Sequence, residues 1–507
     1  MRCSRANRLA QGRDVEAALS GFVAANRAMT VRFAAGCRDG IGSRGESRGW
    51  PCLLPVANRP RPCRNIGPVP DESEPMSKRH DAMHPGRRRF LQSATLGAAA
   101  LPVAMLGAGA KAAEIGGAKL PAAILALQPV KSQIVPITDD ERRARLAKAQ
   151  ELMGRHGMDA IYVDGGTTLD YYTGMRWWTS ERLMGMLLPR SGDPVYITPA
   201  FERSRALEQI RFGHDVRTWQ ENESPYALIA QLMREHGAST GTLGIEEKVP
   251  FFRSTGIAAA MPQAKLAPAT PVTAGCRAIK SPAELALMQV ANNATLALYK
   301  AIWQGLEPGM TQQHIAAWVD AGYARMGLRG EASINVGTYT ALPHGSREPQ
   351  VIREGTPVML DDGCYVEGYQ SDITRTFTLG KASDQMKRVF DVVAKAQRAA
   401  LAAAHPGAAM ELVDAAARKV IVDAGYGPGY TYFSHRLGHG IGIDMHEWYY
   451  LVEGNPRKIE AGMCFSDEPG IYIPGEFGVR LEDDMHVGAD GARWFTPQSP
   501  SIERPFG

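Results

Sequence analysis

The chain has 507 residues, 44% of them hydrophobic and 22% charged, and carries a net charge of +4. That length allows two or three domains with sizeable cores, and the composition is that of a soluble globular protein, which excludes fibrous and membrane-embedded classes. A charge excess this small gives no ground for a nucleic-acid-binding surface.

The excess is uneven along the chain. Residues 1–75 hold twelve arginines, no lysine and seven acids among many Gly and Pro, as in "GWPCLLPVANRPRPC". A basic nucleic-acid arm would use lysine too and form denser runs, so this stretch reads as a disordered or mis-started leader, with Met76 the better start. Next, "PGRRRFLQSATLGAAALPVAMLGAGAKAAE" places Arg87 and Arg88 before Phe90-Leu91, an Ala/Gly-rich apolar run and the small-x-small site Ala110-Lys111-Ala112. Residues 76–112 resemble a twin-arginine export signal cut near Ala112, which implies a soluble periplasmic product. The run is broken by Gly and falls short of the ~20 strongly apolar residues of a membrane span. No cysteine at the cut offers a lipid anchor. Cys3, Cys37, Cys52 and Cys63 lie in the leader; Cys276, Cys364 and Cys464 remain, widely spaced and odd in number, and imply no disulfide framework.

Residues 113–135 read as a linker, and helix and strand then alternate over 136–272. Thr138 and Glu141 are spaced as a capping box, and Leu146, Ala149 and Met153 give a helical apolar stripe. Strand-like runs follow at "MDAIYVD", "LMGMLLP", "DPVYITP" and "GTLGIEE", with a helix around "SPYALIAQLMREHG". This predicts a small α/β domain. A second domain, 278–507, opens on Ser281 as cap, Pro282 in the first turn and Glu284 completing the box. Another helix begins at Thr311, strands dominate to residue 379, helices cover about 384–403 and 410–424, and strands return over 464–496. Helices followed by strands, twice over, predict an α+β domain with a duplicated half.

The chemistry-bearing residues all fall in that second domain. Acids are depleted in β-strands, so Asp361 and Asp372 in "VMLDDGCYVEGYQSDITRTFTL" need a cause. They are turn-capping residues, or neighbours on paired strands that hold a cation between them. "GMCFSDEPGIYI" and "FGVRLEDDMHV" add Glu468 and Glu482. "HRLGHGIGIDMHE" packs His435, His439 and His446 among glycines that let the backbone pass close to a ligand. Four carboxylates with imidazole suit hard hydrolytic metals rather than a thiolate zinc site.

Asp, an eleven-residue step to Asp, then GHGIG, DEPG and RLEDD: this order resembles the metallopeptidase family with the pita-bread fold, which includes methionine aminopeptidase, aminopeptidase P and prolidase. The likeness extends over 136–272, similar to the N-terminal domain of creatinase and prolidase. "SERLMGMLL", "GDPVYITPAFE", "KSPAELALMQ" and "RWFTPQSPSIERPFG" look most like a bacterial Xaa-Pro dipeptidase. The resemblance implies two divalent ions, manganese first with cobalt or zinc as alternatives. Asp361 would bind one ion, His439 and Glu468 the other, and Asp372 and Glu482 would bridge. Asp362 would face away from them, since adjacent strand residues alternate. Glu468 would move the proton, His446 would steady the oxyanion, and His435 and His344 would line the proline pocket. Arg480 would fix the bridging glutamate or meet a substrate carboxylate. The implied activity is cleavage of the Xaa-Pro bond at peptide N-termini, on dipeptides, with aminopeptidase P action on longer peptides as the alternative. A homodimer is the implied assembly. A metal-free amidinohydrolase, a C–S lyase or a non-catalytic peptide binder on the same fold would each differ; the first and last should lack the carboxylate set. "HEWYYL" departs from the family's usual His-Glu-x-Pro, so Trp448 and Tyr449 either pack the rim or reshape the pocket. Trp177, Trp178 and Arg182 form a lid or a dimer contact.

Overall fold

The computed structural model describes residues 120–507 and the backbone of 114–115 and 118–119. The leader and the export signal, 1–75 and 76–112, lie outside the described residues. Among the described residues no helix is long and apolar enough to cross a membrane.

The small domain is built on β1 (Ala160–Asp164), β2 (Gly185–Pro189), β3 (Val195–Pro199), β4 (Val216–Trp219), β5 (Thr242–Ile245) and β6 (Lys265–Pro268), in sheet order β4-β3-β2-β1-β5-β6. Pairs β1–β2 and β2–β3 are antiparallel; β3–β4, β1–β5 and β5–β6 are parallel. β1, β2 and β3 are buried along their whole length, so they carry apolar runs rather than alternation, as sheets covered on both faces do. β4 and β6 escape the sequence pattern because they are short, partly exposed edge strands of mixed composition.

Helix α1 (Asp139–His156) opens with Thr138 accepting from the Glu141 amide at 3.2 Å. The expected box is only half made. Glu141 turns its carboxylate to Arg145 at 2.8 Å and to the Ser281 hydroxyl at 2.7 Å, so partners distant in sequence win over the local return bond. The stretch read as linker carries a short helix, Ala122–Leu125, with Ile124 fully buried, and Val130 donates its amide to Met326 at 3.1 Å. After α2 (Pro225–Glu235), α3 (Thr270–Arg277) leads into α4 (Pro282–Gly305), whose Ser281–Glu284 capping box is complete.

The second domain repeats one plan. Helices α4 and α5 (Gln312–Met326) are followed by the antiparallel sheet β7 (Ser333–Val336), β8 (Pro357–Asp361), β9 (Arg375–Thr378). Helices α6 (Asp384–Ala403) and α7 (Met410–Asp423) are followed by β10 (Gly438–Gly440), β11 (Glu447–Leu451), β12 (Cys464–Asp467), the hairpin β13 (Gly470–Ile473) and β14 (Phe477–Arg480), β15 (Asp483–Gly488) and β16 (Gly491–Trp494). Five of these make one sheet, ordered β11-β10-β12-β15-β16. Of its first two members, β10 (GHG) was hidden in the sequence by its glycine content and its three-residue length. One apolar cluster runs without a break from the small domain (Ile161, Tyr172) through α4 (Leu287, Leu298) to β8 and β9 (Val358, Phe377). The second half has its own, around Val389, Val413 and Phe465. Cys276, Cys364 and Cys464 are free and buried.

Candidate metal centre

The acids of the sequence motif occupy strand ends and breaks. Asp361 closes β8, but its ladder with β9 ends at the Leu360–Arg375 pair. Asp372 therefore lies in the irregular stretch before β9, not beside Asp361 on a paired strand as the hairpin reading expected. Its amide is held by Asp484 Oδ2 at 3.0 Å. Glu468 follows β12 and Glu482 follows β14, each in a gap between strands. A residue outside the ladder is released from strict alternation and can turn its carboxylate to a common point. Asp361, still paired with Ser333 of β7, and His439 in β10 are the two that belong to strands.

These five converge. Asp361, Asp372 and Glu482 offer oxygens mutually within 4.8 Å, and His439, Glu468 and Glu482 form a second such trio that shares Glu482. Asp372 links the two, with its Oδ2 3.6 Å from His439 Nε2, which is 3.4 Å from Glu468 Oε1. His446 joins Asp372 and His439 in a third grouping, its ring stacked on His439 at 3.8 Å between centroids and 23°.

Charge in this cage is out of balance. Burial, then Asp361, pushes the Asp372 carboxyl well above its usual range; burial, then Asp372, does the same to Glu482. Burial lifts Glu468 to about 8. Burial pushes Asp361 up too, but the Arg480 guanidinium on its carboxylate, together with hydrogen bonds from Thr374, Glu482 and the Asp362 amide, holds it below normal. Burial, then His446, lowers His439 to about 3, so its imidazole is neutral and ready to ligate. Four acids, two buried and two half-buried, that face one guanidinium and a neutral imidazole lack positive charge, which a pair of divalent cations would supply. The donor set therefore fits the ions implied by the sequence. Because Glu468 holds a proton up to about pH 8, that proton must leave on loading. Affinity of the apoprotein for a divalent ion is thus expected to rise roughly tenfold per pH unit for each proton displaced between pH 6 and 8. Isothermal titration across that range checks this, and a flat profile contradicts it.

The other predicted residues surround the cage. His435 lies 3.8 Å from Glu468 and 2.7 Å from the Tyr472 hydroxyl, and burial, then Arg480, lowers it to about 3. His446 is exposed at the mouth and lowered by burial, then Arg436, with His344 also contributing. His344 is itself exposed, past the turn Gly337–Ala341, and joins none of the ligand groups. Arg480 is buried and engaged: it pairs with Asp361, donates to Thr374 at 2.9 Å and to the Tyr472 hydroxyl at 2.9 Å, and stands 4.0 Å from Glu482. Asp362 has a positive φ of 88° and accepts from the Ser333 amide at 2.8 Å, which turns it away from the ligand groups. Trp448 donates to Glu247 of the small domain at 3.1 Å, and Tyr449 carries the Arg457 guanidinium at 3.5 Å. Arg182 pairs with Glu221 at 3.0 Å, Trp177 is buried and Trp178 is 86% exposed.

Sequence reading missed three hydroxyls that orient the cage. Thr374 donates to Glu482 Oε2 at 2.6 Å and touches Asp361. Ser466 accepts from the His439 amide at 3.0 Å and donates to Glu468 at 3.2 Å. Tyr472 joins His435 to Arg480. None carries a signal: Thr and Tyr are ordinary strand residues, and only the spacing of Ser466, two before Glu468, hinted that both face one way.

With this geometry in place, likeness to known proteins takes on meaning. Residues 145–279 match the creatinase/prolidase N-terminal domain and residues 286–489 match metallopeptidase family M24. An Xaa-Pro dipeptidase of Lactobacillus helveticus is 33% identical over 359 residues, 69% of this chain and 96% of its own. The crystal structure of dipeptidase PepE from Mycobacterium ulcerans superposes with a TM-score of 0.67 at 32% identity, covering 73% of this chain and 99% of its own. A recombinant prolidase from Thermococcus sibiricus gives 0.64 at 31%, covering 70% and 96%. Fold, donor set and relatives agree, and the chain belongs to metallopeptidase family M24, with a creatinase/prolidase N-terminal domain ahead of a pita-bread catalytic domain.

Proposed function

We propose that this peptidase hydrolyses the Xaa-Pro bond of dipeptides, as a homodimer in the periplasm, with manganese as its metal. The observation that carries the reading is the pair of ligand trios sharing Glu482, with His446 stacked at their edge. Asp361, Asp372, His439, Glu468 and Glu482 would hold two divalent ions, which make water nucleophilic at neutral pH and polarise the carbonyl. The chain's own residues do the rest. Glu468, deprotonated once the ions are bound, can accept a proton from the attacking water and return it to the leaving proline nitrogen. The neutral His446 ring, exposed at the mouth, donates to the developing oxyanion. His435, fixed by Tyr472, presents the wall of the proline side. The relatives described as dipeptidases favour a closed far end over the aminopeptidase P alternative. Export rests on the paired arginines and the Ala110-Lys111-Ala112 site.

One assay tests the reading. Enzyme recovered from the periplasm, with its N-terminus near Ala113, is stripped, reloaded with Mn²⁺ and given an Xaa-Pro dipeptide and an Xaa-Pro-Yaa tripeptide. The dipeptide should be favoured by at least about tenfold in kcat/KM, which corresponds to ~1.4 kcal/mol of transition-state discrimination. Preference for the tripeptide would move the enzyme to the aminopeptidase P class, and turnover of neither would overturn the reading.

A further inference from the structure

The segment between β10 and β11 carries His446. The catalytic domain holds it by backbone bonds, from the Gln370 amide to Gly442 at 2.8 Å and from the Ile441 amide to Cys464 at 3.3 Å. The side chains that tie it down come instead from the small domain or from the connection between the two. Arg277, buried at the end of α3, reaches Glu447 Oε1 with Nη2 at 2.6 Å and with Nε at 3.1 Å, and the same Nη2 bonds Asp444. Its Nη1 donates to Thr168 of the small domain at 3.1 Å. Lys280, also buried, holds Glu447 Oε2 at 2.9 Å. Glu447 Oε1 in turn accepts the amides of Ile443 at 3.1 Å and Asp444 at 3.3 Å, which closes the segment on itself. On the outer side, Lys248 and Thr167 both bond Asp444 Oδ2, and Glu247 takes the Trp448 indole while Thr273 donates to it at 2.6 Å.

His446 thus sits between two anchored acids, Asp444 and Glu447, and one anchored indole. Each anchor is a charge-assisted bond or a bond to an ionised group, and Arg277 and Lys280 are shielded from solvent, where such bonds are strongest. The ring lies stacked on His439 at the edge of the cage, the place from which it would face a substrate carbonyl. Neither glycine-rich β10 nor the short segment itself supplies that rigidity. We propose that Arg277 is a positioning residue for the reaction: through Asp444 and Glu447 it sets the placement of His446, so the small domain frames the catalytic histidine. This rests on the peptidase reading above.

The test uses the mature, metal-loaded enzyme with Arg277→Met, Arg277→Lys and Lys248→Met, each alone and combined with His446→Ala. Readouts are kcat and KM on an Xaa-Pro dipeptide, metal stoichiometry by titration, and amide hydrogen exchange over 441–448. Misplacing a catalytic group by about an ångström costs on the order of a hundredfold, so Arg277→Met should lose ten- to a hundredfold in kcat, with KM and metal content changed less than about twofold. Arg277→Lys, which keeps one charged contact, should recover part of that, and Lys248→Met should show a smaller loss. With His446 already alanine, none of the three should cost anything further. The amides of Ile443 and Asp444 should exchange faster in every variant.

Multiplying losses in the His446→Ala background, loss of metal, or unchanged exchange would overturn the proposal. If the Arg277 variants do not fold, Lys248→Met decides, because its side chain is half exposed; unchanged kcat and exchange there also overturn it. Wild-type enzyme that cleaves no peptide defeats the functional reading instead, while the exchange rates still report on the clamp.

Discussion

Glu482→Gln is expected to abolish turnover while making the metal-free protein more stable. Glu482 belongs to both ligand trios and is buried, with Thr374 donating to one of its oxygens at 2.6 Å. Glutamine keeps the volume and can still accept from Thr374, so the fold has no reason to fail. It removes one of the two anionic groups, with Asp372, that both ions would share. A loss of on the order of 10³ in kcat, about 4 kcal/mol, is expected from the several kcal/mol that metal ions supply to such reactions. The apoprotein moves the other way. In the fold, the Glu482 carboxyl is pushed well above its usual range by burial, then by Asp372, so its contribution to stability is whole in acid and is lost as pH rises. Glutamine never ionises and escapes that loss. In chelator, the melting temperature of Glu482→Gln should match or slightly exceed that of the wild type at pH 5 and exceed it by a wider margin at pH 8. Divalent ions should reverse the order. A variant less stable than wild type in chelator at pH 8 would show that the carboxylates are not in conflict.

Arg375→Met is expected to be the most damaging single change to the fold. Arg375 and Asp483 form an ion pair at 2.6 Å with both side chains at 0% exposure. The guanidinium also donates to the carbonyls of Glu482 at 2.8 Å and Pro497 at 3.0 Å, so it holds the backbone of a ligand as well as its own partner. Asp483 is supported in addition by Gln397 at 3.0 Å and by Thr496. Removing the cation leaves a buried carboxylate with only neutral donors, which costs roughly 3–5 kcal/mol. Arg375→Met with Asp483→Leu removes both charges, and replacing a buried pair by apolar side chains is often close to neutral. The double variant should therefore recover part of the lost stability in urea unfolding. It should recover little metal affinity, because the Glu482 carbonyl stays unheld. A double variant no better than the single one would show that the pair matters for shape rather than charge.

The contrast between these residues shows what a sequence displays and what it conceals. The helices were legible because their signals are local: Ser281 with Glu284, or the apolar stripe of α1, operates within one or two turns. The five candidate ligands were legible as a set because acids and a histidine in apolar, glycine-rich surroundings are costly unless something gathers them. Their placement was not. Asp372 was read as strand-borne, and only the end of the ladder at Leu360–Arg375 showed that it sits in a break. The Thr138–Glu141 box looked complete until Ser281, 140 residues away, claimed the glutamate. Thr374, Ser466 and Arg375 are unremarkable by type; each matters through a partner that only the closed fold brings near. Arg277 and Lys280 lie in plain view in "CRAIKSPAEL", but their work is done on residues 444–447.

The unbroken apolar cluster from Ile161 to Phe377 bears on how such a protein could have been assembled. A module that meets its neighbour only through a polar seam can be cut out, swapped or fused elsewhere by recombination. Here a cut near residue 278 would open part of that cluster on both pieces, and each would need new covering for it. The amino-terminal half is in that sense a resident of the enzyme rather than an accessory, and its loss would have to be matched by new covering for α4.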